Sequence, residues 1–187
     1  MLGRFGVVEA LIEQGLVCPF WQFRDRHNGV IATFEMERLK DDTAHPFRLQ
    51  CEQWRLTRML RERLSANPDV TFLYDAKVES FEQDADGVTL TIERPDGTQE
   101  QLAGRYLIGA DGARSAVRRT IGVEFRGQTI PEIFLSLSTT FPFHEHIQQL
   151  SNIAYISDPE EWFVLLRTAS LWRCLLYTSP SPRDENG

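Results

Sequence analysis

Apolar positions near the start of the chain recur at the spacing of one face of an α-helix. Phe5, Val8, Ile12 and Leu16 mark that face, and Gly15 suits the end of the helix. The pattern therefore predicts a helix that begins close to the first residue.

The following segments alternate apolar and polar residues, which is typical of half-buried strands. Residues 20–25 and 30–35 flank an Asn28-Gly29 turn, and together they predict a β-hairpin. The polar residues 37–46 predict a loop. Apolar side chains then return at helical spacing over residues 52–65, which predicts an amphipathic helix.

A three-stranded antiparallel meander is predicted after this helix. Its strands cover residues 76–82, 88–93 and 99–103 and are separated by turns that contain Asp-Gly; a short strand is predicted before them at 70–73. The continuous apolar run Tyr106–Ile108 is typical of a strand that is buried on both faces of a parallel sheet.

The last third of the chain predicts one helix and a separate sheet. The helix covers residues 115–121, and the strands lie at 133–141, 152–157 and 162–167. The apolar pattern ends at Cys174, and the string from there to Asp184 resembles one reading frame of a sequencing adapter. We therefore expect residues 174–187 to be a non-native tail outside the fold, with a genuine Ser/Pro-rich tail as the alternative.

Composition narrows the class of protein. The chain has 187 residues, and 42% of them are hydrophobic, which is ordinary for a globular protein. Its formal net charge of −7 disfavours nucleic acid as a partner. No apolar run approaches the roughly 20 residues of a membrane span, so no integral membrane segment is expected. The three cysteines are widely spaced, which indicates neither a zinc site nor a disulfide scaffold and favours a cytoplasmic location.

One stretch, Arg105–Arg118, has the features of a nucleotide-binding corner. Its apolar run ends at Gly109, where another backbone or a ligand can approach closely. Asp111-Gly112 allows a tight turn, and Ser115 can cap a helix whose free N–H groups would face outward. This combination suits a pyrophosphate or ribose group, and a plain strand–turn–helix with surface arginines is the alternative.

The same stretch resembles the Asp-Gly fingerprint of the single-component flavin-dependent monooxygenases, the aromatic hydroxylase family typified by para-hydroxybenzoate hydroxylase. The order of charged, hydrophobic, small, Asp-Gly, Ser and Arg positions is matched throughout. Gln50-x-Glu52 at the start of a helix, the meander at 76–103 and the run Ile121–Gly127 are also similar to that family. The resemblance covers about residues 2–173.

The resemblance implies FAD as the cofactor, reduced nicotinamide (NADH or NADPH) as co-substrate, and seven cofactor-binding residues. These are Gln50, Val78, Asp111, Gly112, Arg114, Ser115 and Arg118. Asp111 would contact the ribose–phosphate region of FAD, and Gly112 would permit its close approach. Arg114 would contact a phosphate of the nicotinamide nucleotide.

The remaining positions have supporting roles by the same resemblance. Ser115 and Arg118 would anchor the start of the helix, Gln50 would contact the flavin nucleotide, and Val78 would lie against the adenine. An oxygen molecule and a small aromatic substrate complete the reaction that the family implies. No metal ion is expected, because a surface loop is the preferred interpretation of His144-Glu145-His146.

The implied fold is α/β, a partial Rossmann-like FAD-binding domain with an inserted antiparallel meander, followed by the start of an antiparallel substrate-domain sheet. We expect residues 1–122 to belong to the first domain and 123–173 to the second. The family's opening G-x-G-x-x-G motif does not precede Met1, and its later Gly-Asp motif is not found, so we expect the chain by itself to bind FAD poorly and to be inactive.

Two other functions stay open at this stage. One is a different flavoprotein oxygenase, such as an epoxidase or a halogenase-like enzyme, and the other is a non-catalytic binding module that retains the scaffold. Trp21, Phe23 and Phe34 fit either a core or a substrate pocket. A second apolar set falls where the family builds its substrate-facing sheet: Phe134, Leu135, Leu137, Trp162, Phe163 and Leu165.

Overall fold

The computed structural model describes residues 2–130 and 133–178 and has the mixed α/β architecture that the sequence predicts. The helices are α1 (Val8–Gln14), α2 (Gln53–Ser65), α3 (Ala116–Thr120) and α4 (Phe143–His146). The strands are β1 (Leu16–Cys18), β2 (Phe20–Asp25), β3 (Gly29–Glu35), β4 (Arg48–Gln50), β5 (Lys77–Gln83), β6 (Val88–Glu93), β7 (Gln99–Gly104), β8 (Ile133–Thr139), β9 (Ile153–Ser157), β10 (Phe163–Arg167) and β11 (Trp172–Thr178).

Two compact units make up the chain. One is Asn67–Thr129, and the other combines the segments before and after it. Among the helices of the described residues, none combines the length and the apolar content that crossing a bilayer requires.

The larger unit is built on a six-stranded sheet with the strand order β3-β2-β9-β10-β11-β8. One face is covered by α4 and the residues after it, which pack on a buried cluster: Ala154, Ile156, Leu165, Trp172 and Cys174. The predicted hairpin is confirmed as β2–β3. Its turn forms because the Oδ1 of Asp25 accepts hydrogen bonds from the backbone N–H groups of His27 and Asn28, at 2.9 and 2.7 Å.

The hairpin and the later strands share this sheet, whereas the sequence predicts a separate sheet for the later strands. The reason is a parallel pairing of β2 with β9, in which Gln22 lies opposite Ala154. Partners so far apart along the chain leave no local signal in the sequence. The expected domain boundary at residue 122 stays a prediction.

Strand β11 corrects the expectation that the fold ends before Cys174. Cys174 is buried, and its strand pairs with both β10 and β8. The short apolar run Cys174–Tyr177 fills the position between β10 and β8, and β11 is the only strand that β8 pairs with in the described part of the chain, so pairing decides its conformation. The rest of the predicted tail, residues 179–187, lies outside the described residues.

A two-stranded ribbon of β1 and β4 joins the first helix to α2, and sequence patterning misses it because each strand has three residues. Gly15, between α1 and β1, is required by space. A Cβ atom there would lie 2.7 Å from Cδ1 of Leu49 and 3.0 Å from the carbonyl oxygen of Leu11. The predicted helix and its glycine stop are confirmed, with α1 shorter than the pattern indicates.

Glu52 fastens the start of α2 to the turn between β10 and β11. Its Oε1 accepts hydrogen bonds from the hydroxyls of Thr168 and Ser170 at 2.9 and 3.2 Å, and its Oε2 accepts one from Nε of Arg55 at 2.8 Å. Burial alone would raise the pKa of Glu52, but its hydrogen bonds outweigh burial and lower the pKa to about 2. The carboxylate is therefore ionised, and both of its oxygens accept hydrogen bonds.

The smaller unit contains the meander, in the predicted order β5-β6-β7. Val88 and Ile92 of the central strand are buried. Two sequence predictions are wrong here, since neither residues 70–73 nor Tyr106–Ile108 form strands. Ile108 is 88% exposed, because none of the described strands pairs with this run to bury it.

Candidate functional site

The Asp-Gly segment forms a tight turn that leads into α3. Gly112 has a φ of +74°, a left-handed conformation that favours glycine, and its carbonyl accepts a hydrogen bond from the N–H of Ser115 at 3.0 Å. Nothing would lie within 4 Å of a Cβ at Gly112, so the backbone conformation, rather than crowding, requires glycine there.

Asp111 holds the first turn of α3 through both carboxylate oxygens. Oδ1 accepts a hydrogen bond from Oγ of Ser115 at 2.5 Å, and Oδ2 accepts from the N–H groups of Ala116 and Val117 at 2.7 and 3.2 Å. The Ser115 hydroxyl and the Val117 N–H are the main causes that lower the pKa of Asp111 to about 2. Asp111 is therefore a fixed anion at neutral pH.

The start of α3 does not offer the free N–H groups that the sequence predicts. Asp111 occupies those of Ala116 and Val117, and Oγ of Ser115 accepts from the N–H of Arg118 at 2.9 Å. The predicted Ser115 cap is confirmed. Ser115 and the Asp111 carboxylate thus accept from all three of these N–H groups. The start of α3 therefore leaves none of the three free to bind a pyrophosphate.

The close approach predicted for this segment occurs at Gly109. The group that approaches is not a ligand but the side chain of Val117. A Cβ atom at Gly109 would lie 2.9 Å from Cβ and Cγ1 of Val117. A glycine is thus needed for α3 to pack back on the segment that precedes it.

A cavity of about 430 Å³, which we call the Asp111 cavity, brings three of the predicted site residues together: Val78, Asp111 and Arg114. Its other lining residues are Glu79, Ser80, Phe81, Leu107, Ile108, Gly109, Ala110, Ala116, Val117 and Thr120. Sequence reasoning named Val78 but missed the other three β5 members, Glu79, Ser80 and Phe81. Strand alternation would place Val78 and Ser80 apart from Glu79 and Phe81, but β5 has a register shift between Val78 and Ser80, which alternation does not reveal.

Arg114 and Arg118 differ in what holds them. Within the described residues the guanidinium of Arg114 makes no hydrogen bond or ion pair, and the side chain is exposed at the cavity. Arg118 donates a hydrogen bond to the carbonyl of Ala113 at 3.0 Å, and its guanidinium lies 4.6 Å from the ring centroid of Phe125. Arg114 is thus available to a ligand, whereas Arg118 braces the turn.

Gln50 lies in the larger unit, at the end of β4 and opposite Leu16. Its Nε2 is buried and has no hydrogen-bond partner among the described residues. A buried amide donor without an acceptor costs about 1–3 kcal/mol, which a ligand oxygen would offset. The structure thus leaves one donor of Gln50 without a protein acceptor among the described residues.

Aromatic side chains form a cluster on the sheet face opposite the buried core. Trp21 has ring centroids 5.1 Å from Phe34, 5.3 Å from Phe23 and 5.4 Å from Tyr155. Phe23 and Phe34 are 39% and 44% exposed, so these rings do not belong to a closed core. Of the second predicted set, Leu165 is in the core, whereas Phe134 and Trp162 are exposed.

Comparison with known proteins identifies the family. A sequence model described as "FAD binding domain" matches residues 1–185. The chain belongs to this family. FAD is therefore the cofactor that the family implies, as the fingerprint at Arg105–Arg118 predicts.

The relatives of this chain include proteins that are named as aromatic hydroxylases. Para-nitrophenol 4-monooxygenase of Pseudomonas sp. strain WBC-3 is 30% identical over 174 residues, which cover 92% of this chain and 42% of that protein. The 3-(3-hydroxy-phenyl)propionate/3-hydroxycinnamic acid hydroxylase of Klebsiella pneumoniae strain 342 is 44% identical over 64 residues, 34% of this chain and 12% of that one.

A solved structure agrees with these sequence relatives. The crystal structure of p-nitrophenol 4-monooxygenase from Pseudomonas putida DLL-E4 matches with a TM-score of 0.89 and 30% identity, over 96% of this chain and 45% of that chain. The chain thus spans less than half the length of each of these two nitrophenol monooxygenases.

The residues of the Asp111 cavity fit a flavin nucleotide. Asp111 offers an acceptor for a hydroxyl of the ribose. Val78 contributes an apolar wall of the kind that an adenine ring contacts. The fit depends on these side chains and not on helix N–H groups.

Proposed function

We propose that this chain is part of a FAD-dependent monooxygenase that hydroxylates a phenolic substrate with NAD(P)H and O₂. The observation that carries the proposal is the 30% identity to para-nitrophenol 4-monooxygenase over 92% of the chain. The Asp111 cavity supports it, because the same stretch that identifies the family lines a cavity with a fixed carboxylate and an unpaired arginine.

In this proposal the chain binds and orients its cofactor. Asp111 accepts a hydrogen bond from a ribose hydroxyl of FAD, and Val78 packs against the adenine. Gln50 is a contact of the flavin nucleotide by the family resemblance alone. Gly112, Ser115 and Arg118 keep the turn in the conformation that presents Asp111. FAD, once reduced, supplies the oxygen chemistry, in which one oxygen atom of O₂ enters the aromatic ring and the other leaves as water.

Arg114 has a separate task in the same proposal. Its guanidinium is exposed and unpaired in the described part of the chain, and a phosphate of the nicotinamide nucleotide is the partner that its charge suits. The hydride donor would then be held near the cofactor that it reduces.

The exposed rings of the six-stranded sheet supply a wall for an aromatic substrate. Trp21, Phe23 and Tyr155 form edge and tilted contacts, with centroids between 5.3 and 5.6 Å apart. Planar apolar walls with few polar groups are typical of pockets for small aromatic ligands. We propose no nucleic-acid partner and a cytoplasmic location, in line with the three free thiols.

The experiment that tests the proposal is an isotope assay on the gene product that contains this chain. The purified holoprotein is supplied with NADH or NADPH, ¹⁸O₂ and a panel of phenols. We expect a hydroxylated product that carries one ¹⁸O atom and that is not formed without the reduced nicotinamide. Oxygen found instead in an epoxide would favour the alternative oxygenase. Nicotinamide oxidation with unlabelled phenols throughout the panel would contradict aromatic hydroxylation.

A further inference from the structure

Helix α2 forms a basic patch on an acidic protein. It carries four arginines and one glutamate, a formal charge of +3, in a chain whose net charge is −7. None of its residues from Gln53 to Ser65 is fully buried. The contacts of the four arginines therefore decide whether this charge supports the fold or is available to a partner.

Two of the four arginines are used by the chain itself. Nε of Arg55 donates a hydrogen bond to the carboxylate of Glu52 at 2.8 Å. Nη1 of Arg63 donates to the backbone carbonyl oxygens of Phe5 and Gly6, to the latter at 2.9 Å. These contacts fasten the two ends of α2, so Arg55 and Arg63 have a structural role.

The other two arginines are weakly held. Arg61 is exposed and makes no hydrogen bond or ion pair among the described residues. Arg58 pairs with Glu62, but its Nε lies 3.8 Å from Oε1 and the two side chains are 49% and 63% exposed. Exposed pairs of this kind contribute about 0–1 kcal/mol, so Arg58 can exchange Glu62 for another carboxylate.

An exposed tryptophan lies on the same face of the helix as these two arginines. Trp54, Arg58 and Arg61 are four and then three residues apart, which is the spacing of neighbours on one helix face. Trp54 is 52% exposed, and the guanidinium of Arg58 lies 5.0 Å from its ring centroid. We call these three residues the α2 stripe. Trp and Arg are the residue types that contribute most often to protein–protein affinity, so the stripe has the composition of a contact surface.

The α2 stripe has the length and chemistry to bind a short acidic segment of a protein. From Trp54 to Arg61 the helix rises about 10 Å, which about four extended residues span. Guanidinium groups pair with carboxylates, and an indole offers a flat face to a hydrophobic side chain. Nucleic acids and anionic bilayers present negative charge over a much larger area, which the net charge of −7 repels, whereas a short segment meets only the stripe.

We propose that the α2 stripe is a docking surface for an acidic segment of another protein. A hydrophobic side chain of that segment packs on Trp54, and its carboxylates pair with Arg58 and Arg61. The contact is small and exposed, so we expect binding to be weak and sensitive to salt. Docking needs neither FAD nor NAD(P)H, and the inference therefore goes beyond the proposed function.

The test is fluorescence polarisation of labelled peptides mixed with the gene product that contains this chain. A short peptide of alternating Leu and Glu residues is compared with the same peptide carrying Gln in place of Glu. We expect the Glu peptide to bind saturably at low ionic strength and to lose most of its affinity at physiological salt. The Gln peptide should bind at least about 5-fold more weakly.

Variants of the stripe locate the contact. Arg58→Gln/Arg61→Gln should weaken binding of the Glu peptide by about 5-fold and leave binding of the Gln peptide unchanged. Trp54→Ala should weaken binding of both peptides by about 10-fold. The matched control is Arg119→Gln/Arg126→Gln, which removes the same charge from exposed arginines outside α2 and should bind like the unmodified protein.

Three results would overturn the proposal. One is that the Glu peptide does not bind, or binds no more tightly than the Gln peptide. Another is an equal loss of affinity in Arg58→Gln/Arg61→Gln and in the control, which would indicate net charge instead of a contact. The third is that these two arginines hold phosphatidylserine vesicles or a second copy of the protein and not the peptide, because the stripe would then be a membrane or dimer surface.

Discussion

The hydroxyl of Ser115 links the carboxylate of Asp111 to the backbone of α3. Its Oγ donates to Oδ1 of Asp111 at 2.5 Å and accepts from the N–H of Arg118 at 2.9 Å. A single side chain therefore caps the helix and holds the acid that lines the Asp111 cavity. This relationship explains why Asp and Ser occur together at this spacing in the fingerprint.

Replacing Ser115 tests that link. Ser115→Ala removes the cap and the donor to Asp111, so we expect a loss of about 1 kcal/mol in the free energy of unfolding of the smaller unit. It also removes the largest cause of the low pKa of Asp111, which should rise towards its ordinary value. Urea titration and carboxylate NMR measure the two effects. Ser136→Ala, at an exposed strand position, should change neither.

Space at Gly109 makes a second prediction. Gly109→Ala places a Cβ 2.9 Å from two side-chain atoms of Val117, and such overpacking typically costs about 1–3 kcal/mol. The double variant Gly109→Ala/Val117→Ala should recover part of this loss, as thermal unfolding would show. Gly3→Ala is the control, because no atom lies within 4 Å of a Cβ there. A double variant less stable than the sum of its parts would rule out the contact as the cause.

Because the carboxylate of Glu52 is buried and ionised, we expect the free energy of unfolding to fall at acid pH. Its pKa of about 2 lies below the ordinary 4.5, so its stabilisation is complete above about pH 4.5 and is lost as the pH falls from there towards 2. Glu52→Gln should lower the free energy of unfolding at pH 7 by about 1–3 kcal/mol and flatten the acid limb of the stability curve. Glu62→Gln on the exposed face of α2 should leave both unchanged. An unaltered acid limb in Glu52→Gln would show that other groups cause the loss.

Arg114 predicts a selective kinetic defect. In the gene product that contains the chain, Arg114→Met should raise KM for NAD(P)H by about 10-fold with kcat and FAD content little changed, because one charge-assisted contact to a phosphate is lost. Steady-state kinetics of nicotinamide oxidation measure this. Arg119→Met, at an exposed arginine of the neighbouring helix α3, is the comparison. A matching rise in both variants would indicate general charge rather than a contact of Arg114.

Local signals in the sequence predicted the elements that local interactions form. The hairpin follows from Asn28-Gly29, the meander from its Asp-Gly turns, and the cap of α3 from Ser115. In each case the hydrogen bonds that fix the element join residues within a few positions of one another. Such contacts depend on residues that are close together in the sequence, so they can be predicted from the sequence pattern.

Long-range pairing explains what the sequence did not reveal. The parallel contact of β2 with β9, the insertion of β11 between β10 and β8, and the bonds of Glu52 to Thr168 join distant segments. Tyr106–Ile108 shows the converse, since an apolar run without a pairing strand stays exposed in the described structure. In the candidate site, the turn at Gly112 and the Ser115 cap could be predicted from residue types, but the use of the α3 donors by Asp111 follows from geometry alone.

FAD affinity tests whether the carboxylate of Asp111 helps to hold the cofactor, as we propose. Fluorescence titration of the gene product that contains this chain should give an FAD dissociation constant at least about 10-fold higher for Asp111→Asn than for the unmodified protein. Asp96→Asn, in an exposed turn of the meander, should bind FAD like the unmodified protein. If folded Asp111→Asn binds FAD as tightly as the Asp96 control, the account of this site is wrong.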